Sequence, residues 1–262
     1  MDLSKLINKD FVFRIKASIL IALSILLFYL ILSEGNYFIL PDKLMALGFN
    51  LSNLHNIFSF IIIHTGYLHL LVNLLSFIVF AILVELSLSS IDVILIFLLS
   101  QIGAALVFCF LNPDKTLIGA SAGISGLVAV AIALKPVKAI IAMVLVVAAL
   151  LLIFFPATNY SFDIHKQNIL NEQTSIERDL NLAVALGDVN AAIDLNRTLQ
   201  QSRERIVEMK EGEIVQKQTK TDFWIHGYGA FFGVLYIFLF RRNKVKEALK
   251  GIKLYKEKIK KF

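Results

Sequence analysis

Five polar side chains stand inside otherwise apolar stretches of this 262-residue chain: His64, His69 and Asn73 in one, Ser121 in a second, His226 in a third. Ionisable groups at membrane depth are costly, and those that persist are held inward with partners and mark functional positions. A serine and a histidine held this way are the elementary parts of nucleophilic catalysis, since a hydroxyl attacks well only when a neighbouring base accepts its proton. The residue types therefore point to a hydrolase built within a bilayer. No His or Cys cluster at ligand spacing stands outside these segments and no glycine-rich phosphate loop follows a strand, so neither a metal nor another cofactor is expected.

The elements that must position these groups are membrane helices. Apolar residues make up 57% of the chain, and several uncharged runs approach or exceed about 18 residues, the signature of a polytopic membrane protein. Apolar spans are read at about 11–33, 57–84, 91–111, 116–134, 137–156 and 223–240, which predicts six helices. Pro41, Pro113, Pro136 and Pro156 fall at or between span ends, where a missing amide donor costs little. The first span follows Lys5, Lys9, Arg14 and Lys16 but is long for a signal-peptide core and lacks an A-x-A site, so it is read as a retained helix. Cys109, the single cysteine, excludes an intrachain disulfide and reads as a packing thiol.

Charge sets the expected orientation, because short loops rich in Lys and Arg stay cytoplasmic. The N-terminus carries four such residues, the loop between spans four and five carries Lys135 and Lys138, and the tail from Arg241 to Phe262 carries ten. Both termini are therefore expected in the cytoplasm, with the chain multi-pass in a plasma membrane, bacterial inner membrane by preference. The tail, residues 241–262, reads as a basic surface helix on anionic lipid rather than a nucleic-acid binder. Residues 157–222 turn polar, with eight Lys and Arg against eleven Asp and Glu, and read as a soluble helical insertion outside the cytoplasm. Its spacing of Leu, Ile, Val and Ala, interrupted at Gly187-Asp188, predicts a helical hairpin, with His165 an ordinary surface histidine. The expected division is thus 1–156 for helices one to five, 157–222 for the insertion, 223–240 for helix six and 241–262 for the tail.

Topology brings the polar residues to one level. With the N-terminus inside, every even-numbered span runs inward from the outer face, and His64, His69, Ser121 and His226 all fall in the first part of such a span, roughly 5 to 18 Å from that face at 1.5 Å per residue. His69 and Asn73 are four apart and share a helix face. Gly119, Gly123 and Gly126 in span four and Gly229 and Gly233 in span six let two backbones approach closely, as a direct hydrogen bond from serine to histidine requires.

The motifs H-x-x-x-x-H-x-x-x-N at His64, His69 and Asn73, G-x-S at Gly119-Ala120-Ser121, and H-x-x-G-x-x-x-G at His226, Gly229 and Gly233 resemble the rhomboid family of intramembrane serine proteases. The resemblance covers about residues 11–156 and 223–240 and implies an all-α membrane protein, a six-transmembrane-helix rhomboid-like bundle with the soluble insertion between helices 5 and 6. It further implies a Ser121 and His226 dyad, an oxyanion site of His69, Asn73 and the Ser121 amide, and supporting places for His64, Gly119, Gly229 and Gly233. Three positions depart from the family pattern: Ala122 stands where glycine is usual, Ser125 where an aromatic ring often packs on the histidine, and His55-Asn56 where a Trp-Arg pair is common.

Gly123-Ile124-Ser125-Gly126 is a second G-x-S, one helical turn deeper. The shallow place of His226 favours Ser121, and Ser125 otherwise reads as a hydroxyl bonded to a backbone carbonyl one turn back. The favoured function is a serine endopeptidase cleaving transmembrane substrate proteins near the outer membrane interface. The alternatives are a catalytically silent binder of transmembrane proteins and a small proton-coupled transporter, the latter lacking the internal duplication common in that class. The expected partners are the lipid bilayer and transmembrane substrates, with the insertion gating access or docking a partner, and no nucleic acid.

Overall fold

A computed structural model describes residues 14–34, 36–218 and 223–259 of the chain. Helices carry nearly all of it, and the only extended pairings among the described residues are two isolated bridges, Phe38 with Gly66 and Phe49 with Leu117. Five helices are long and apolar enough to cross a membrane, and Ser121–Leu134 is a shorter apolar sixth. The protein is an all-α, multi-pass membrane protein.

Helix α1 (Lys16–Ser33) opens against a carboxylate from elsewhere in the chain. Glu85 accepts hydrogen bonds from the Ala17 and Ser18 amides at 3.0 and 2.9 Å and from Ser18 Oγ at 2.5 Å. The buried carboxylate thereby satisfies the orphan donors and the positive end of the first turn. A long loop follows, containing α2 (Pro41–Leu47), a 3₁₀ turn (Leu54–Ile57) and the single turn α3 (Ser59–Ile62). Asn56 sits buried in it and donates to the carbonyls of Ala46 and Gly48, so the His55-Asn56 departure has a local structural use.

The second apolar span is not one helix. Residues 63–66 are non-helical between α3 and α4 (Tyr67–Glu85), because their backbone pairs sideways with the first loop: the Ile39 amide donates to Thr65 O and the Tyr67 amide to Tyr37 O. His64 therefore lies ahead of the helix that carries His69 and Asn73. Helix α5 (Ser90–Leu111) follows, capped by Ser89 Oγ, which accepts from the Asp92 amide and donates to the Asp92 carboxylate.

Helix α6 (Ser121–Leu134) lies among α4, α5 and α10 (Phe223–Phe240). Its 14 residues span about 21 Å, less than the roughly 30 Å of a hydrocarbon core. Residues 116–120, read from the sequence as helix, instead form the turn that leads into it, with Gly119 at φ +102°. Helix α7 (Pro136–Ala149) buries only Ala139 and Val146 and offers a broad apolar flank outward.

The change of composition at residue 157 leaves no break in the backbone. Helix α7 runs through a π-helical segment (Leu150–Phe154) into α8 (Phe155–Leu186). The wider π turn accommodates Pro156, which lacks an amide and would crowd the carbonyl four residues back in a regular helix. The expected hairpin is present, its turn at Gly187 (φ +73°) and its second arm α9 (Val189–Gln218). Ile169, Ile176, Ala183, Leu199 and Met209 are buried in it, and Arg203 and Arg205 pair with Glu177 and Glu172 across it. Its root packs on the first loop through Tyr37 and Phe38 against Phe162, and His165 stacks on Tyr37 at 5.5 Å rather than standing free on the surface.

Helix α10 is anchored at its far end, where Tyr236 Oη and Arg241 Nε donate to buried Asp92 at 2.6 and 2.8 Å. Helix α11 (Arg242–Ile259) continues the basic tail as an amphipathic helix; residues 1–13, 35, 219–222 and 260–262 lie outside the described residues.

Candidate active site

Three helix beginnings meet at the end of the bundle from which the hairpin emerges. Helix α4 contributes His69 in its first turn and Asn73 one turn later on the same face. Thr65 Oγ1 lies 3.1 Å from His69 Nδ1. When that hydroxyl donates to Nδ1, the imidazole proton resides on Nε2, so His69 offers an N–H on its other side. That side faces the turn before α6: a Cβ built on Gly119 would lie 3.1 Å from His69 Nε2 and 3.6 Å from Asn73 Nδ2. Gly119 is thus required twice over, by its left-handed backbone and by the two side chains above it. Asn73 Nδ2 is buried and, among the described residues, has no hydrogen-bond partner.

Helix α6 brings Ser121 as its first residue. The amides of a helix's first turn have no intrahelical acceptor and sit at the positive end of the helix dipole. One of them is satisfied by design of the neighbouring helix: Gln101 on α5, 1% exposed, accepts from the Gly123 amide at 2.6 Å and donates to Gly119 O at 2.7 Å. On the other side, the Gly119 amide donates to Phe60 O at 2.8 Å. Non-helical backbone at membrane depth is tolerated only when its polar groups are satisfied by protein or a water-filled cavity, and these bonds hold the turn rigid. Ser121 is partly exposed, while Ala120 and Ala122 are buried.

Helix α10 brings His226 in its first turn, at a distance from α6 set by small residues. A Cβ on Gly229 would overlap the Ala122 carbonyl, and one on Gly233 would lie 2.6 Å from Gly126 O. Ala122 with Gly229 and Gly126 with Gly233 keep one register. Ser125 Oγ lies 3.2 Å from His226 Nδ1 and donates to Ser121 O at 2.9 Å. The contact to the ring shown here thus comes from Ser125, one turn below Ser121, and its bond to the carbonyl one turn back is the one its spacing suggests. His64 is fully buried, donates from Nδ1 to Ile62 O at 3.3 Å, and sets its ring edge-on to His69 with centroids 5.0 Å apart.

This arrangement can stabilise a negative oxygen between His69, Asn73 and the start of α6, and it has an imidazole on the adjacent helix. Two of its members were not singled out from the sequence. Gln101 follows Ser100 in an otherwise apolar span, the same signal that marks the histidines. Thr65 carried no signal beyond adjacency to His64.

The family model described as Rhomboid domain matches residues 51–177. The chain carries a rhomboid domain. Rhomboids are generally serine intramembrane proteases, and the family includes inactive members. The matched stretch carries His64, His69, Asn73, Ser121 and Ser125, runs into the first arm of the hairpin, and ends before α10 and His226. Among curated proteins and among solved structures, none matches the chain.

Proposed function

We propose that this rhomboid is an active intramembrane serine endopeptidase with Ser121 as nucleophile and His226 as its base, cleaving transmembrane proteins near the outer interface. The observation that carries this reading is the unpartnered Asn73 Nδ2, buried beside His69 Nε2 against the turn two residues ahead of Ser121. Two donors side by side against that turn, one of them without a partner among the described residues, suit a charge that exists only during reaction, as an oxyanion does. Ser125 lies one turn further along α6 from these donors, which favours Ser121 as the attacking hydroxyl.

In this mechanism His226 takes the proton of Ser121 as the oxygen attacks the scissile carbonyl. The tetrahedral oxyanion accepts from Asn73, His69 and the Ser121 amide. His226 then protonates the leaving amine, and water hydrolyses the acyl-enzyme by the same route in reverse. The charge pattern supports cytoplasmic termini and, with them, an outer position for the first turns of α4, α6 and α10. The loosely buried α7 supports substrate entry past that helix, with the hairpin standing beside the entrance as gate or docking surface. A proteomic comparison of cells carrying the wild-type chain and Ser121→Ala tests the reading: outer fragments of single-span proteins are released only by the wild type. Equal release from both would overturn it.

A further inference from the structure

We infer that Ser125 is a positioning residue that fixes the tautomer of His226; this rests on the Ser121 and His226 reading above. A serine hydroxyl has a single proton. Ser125 Oγ donates that proton to Ser121 O at 2.9 Å, so toward His226 Nδ1, 3.2 Å away, only its lone pair is left. The contact is then Nδ1–H donating to Ser125 Oγ. A neutral imidazole with its proton on Nδ1 carries its free lone pair on Nε2, the form able to accept a proton from a hydroxyl at the start of α6. The other tautomer would put a proton on Nε2 and disable the base.

Helix geometry makes the device stable. Ser125 is one turn from Ser121 on the same helix, so its donation to the Ser121 carbonyl is built into the backbone. The close packing of Ala122 on Gly229 and Gly126 on Gly233 holds α10 against α6 over the two turns that follow His226. One hydroxyl therefore ties the helix turn that carries the nucleophile to the ring that activates it. Being neutral, Ser125 orients the imidazole without the charge support a carboxylate would add.

The test combines kinetics with nitrogen-15 NMR of histidine-labelled full-length protein in bilayers, the His226 signals being assigned by their loss in His226→Ala. The wild type is expected to show the Nδ1–H tautomer, and Ser125→Ala a shift toward Nε2–H. On a transmembrane substrate, Ser125→Ala is expected to lower kcat about tenfold with KM little changed, the loss of one neutral hydrogen bond. Ser125→Thr, which keeps the hydroxyl, is expected to restore most of kcat. An Nε2–H wild-type ring, or full kcat in Ser125→Ala while Ser121→Ala is dead, overturns the positioning role and leaves the nucleophile reading standing. Activity surviving in Ser121→Ala but abolished in Ser125→Ala overturns the nucleophile reading itself. The NMR readout needs no turnover, so it decides the tautomer even in an inactive preparation.

Discussion

Replacing Gln101 by methionine removes two hydrogen bonds at once from the turn that carries Ser121, at nearly constant volume. The side chain is 1% exposed and bonds Gly119 O at 2.7 Å and the Gly123 amide at 2.6 Å. Each backbone group left buried and unpaired costs about 1 to 3 kcal/mol, so Gln101→Met is expected to destabilise the protein by about 2 to 6 kcal/mol. Gln101→Glu, held protonated at this buried place, keeps an acceptor for the Gly123 amide and an O–H donor for Gly119 O, and should fall between wild type and Gln101→Met. Because the turn sets the place of Ser121 against His69 and Asn73, kcat should fall in the same order. Thermal denaturation in detergent and cleavage of a transmembrane substrate in proteoliposomes measure the two effects. A Gln101→Met protein within about 0.5 kcal/mol of wild type, the range of an uninvolved substitution, and with full kcat would refute this account of the turn.

Asn73→Ala should lower kcat about a hundred- to a thousandfold, the usual effect of removing one oxyanion donor, with little change in melting temperature because Nδ2 has no partner to lose. Thr65→Val should lower kcat while leaving KM near wild type, since Nδ1 of His69 then loses the hydroxyl that directs its proton to Nε2. Gly229→Val should destabilise by about 1 to 3 kcal/mol or more and abolish cleavage, because the side chain meets the Ala122 carbonyl. Gly227→Ala, with nothing within 4 Å of the added carbon, should fold and cleave normally and serves as its control. Asp92→Leu should cost about 1.5 to 3 kcal/mol in melting experiments through the lost charged bond from Tyr236, the Arg241 partner being too exposed to add much.

Much of the fold was legible because lipid imposes simple rules. Long apolar runs became helices, the Gly187-Asp188 break became the hairpin turn, and the glycines of span six met those of span four, all effects of local composition or of a strict steric need. What was not legible depended on partners distant in sequence. Residues 63–66 leave the helix because Tyr37 and Ile39 bond them from the side, and residues 116–120 form a turn because Gln101 and Phe60 satisfy it. Hydropathy registers neither, since an apolar residue reads the same in a helix or beside one. Pro156 looked like a stop, but a π turn absorbed it and carried one helix from the bilayer-length segment into the polar hairpin. Within the site, the shared face of His69 and Asn73 follows from i, i+4 spacing, whereas the 3.2 Å contact of Ser125 Oγ with His226 Nδ1 depends on side-chain torsions that spacing does not encode.

The most direct test of the central claim is the site of covalent labelling by a fluorophosphonate probe on the detergent-solubilised protein, read by peptide mass spectrometry. The account predicts an adduct on Ser121 that disappears in His226→Ala. An adduct on Ser125, or labelling of Ser121 that persists without the imidazole, would contradict it.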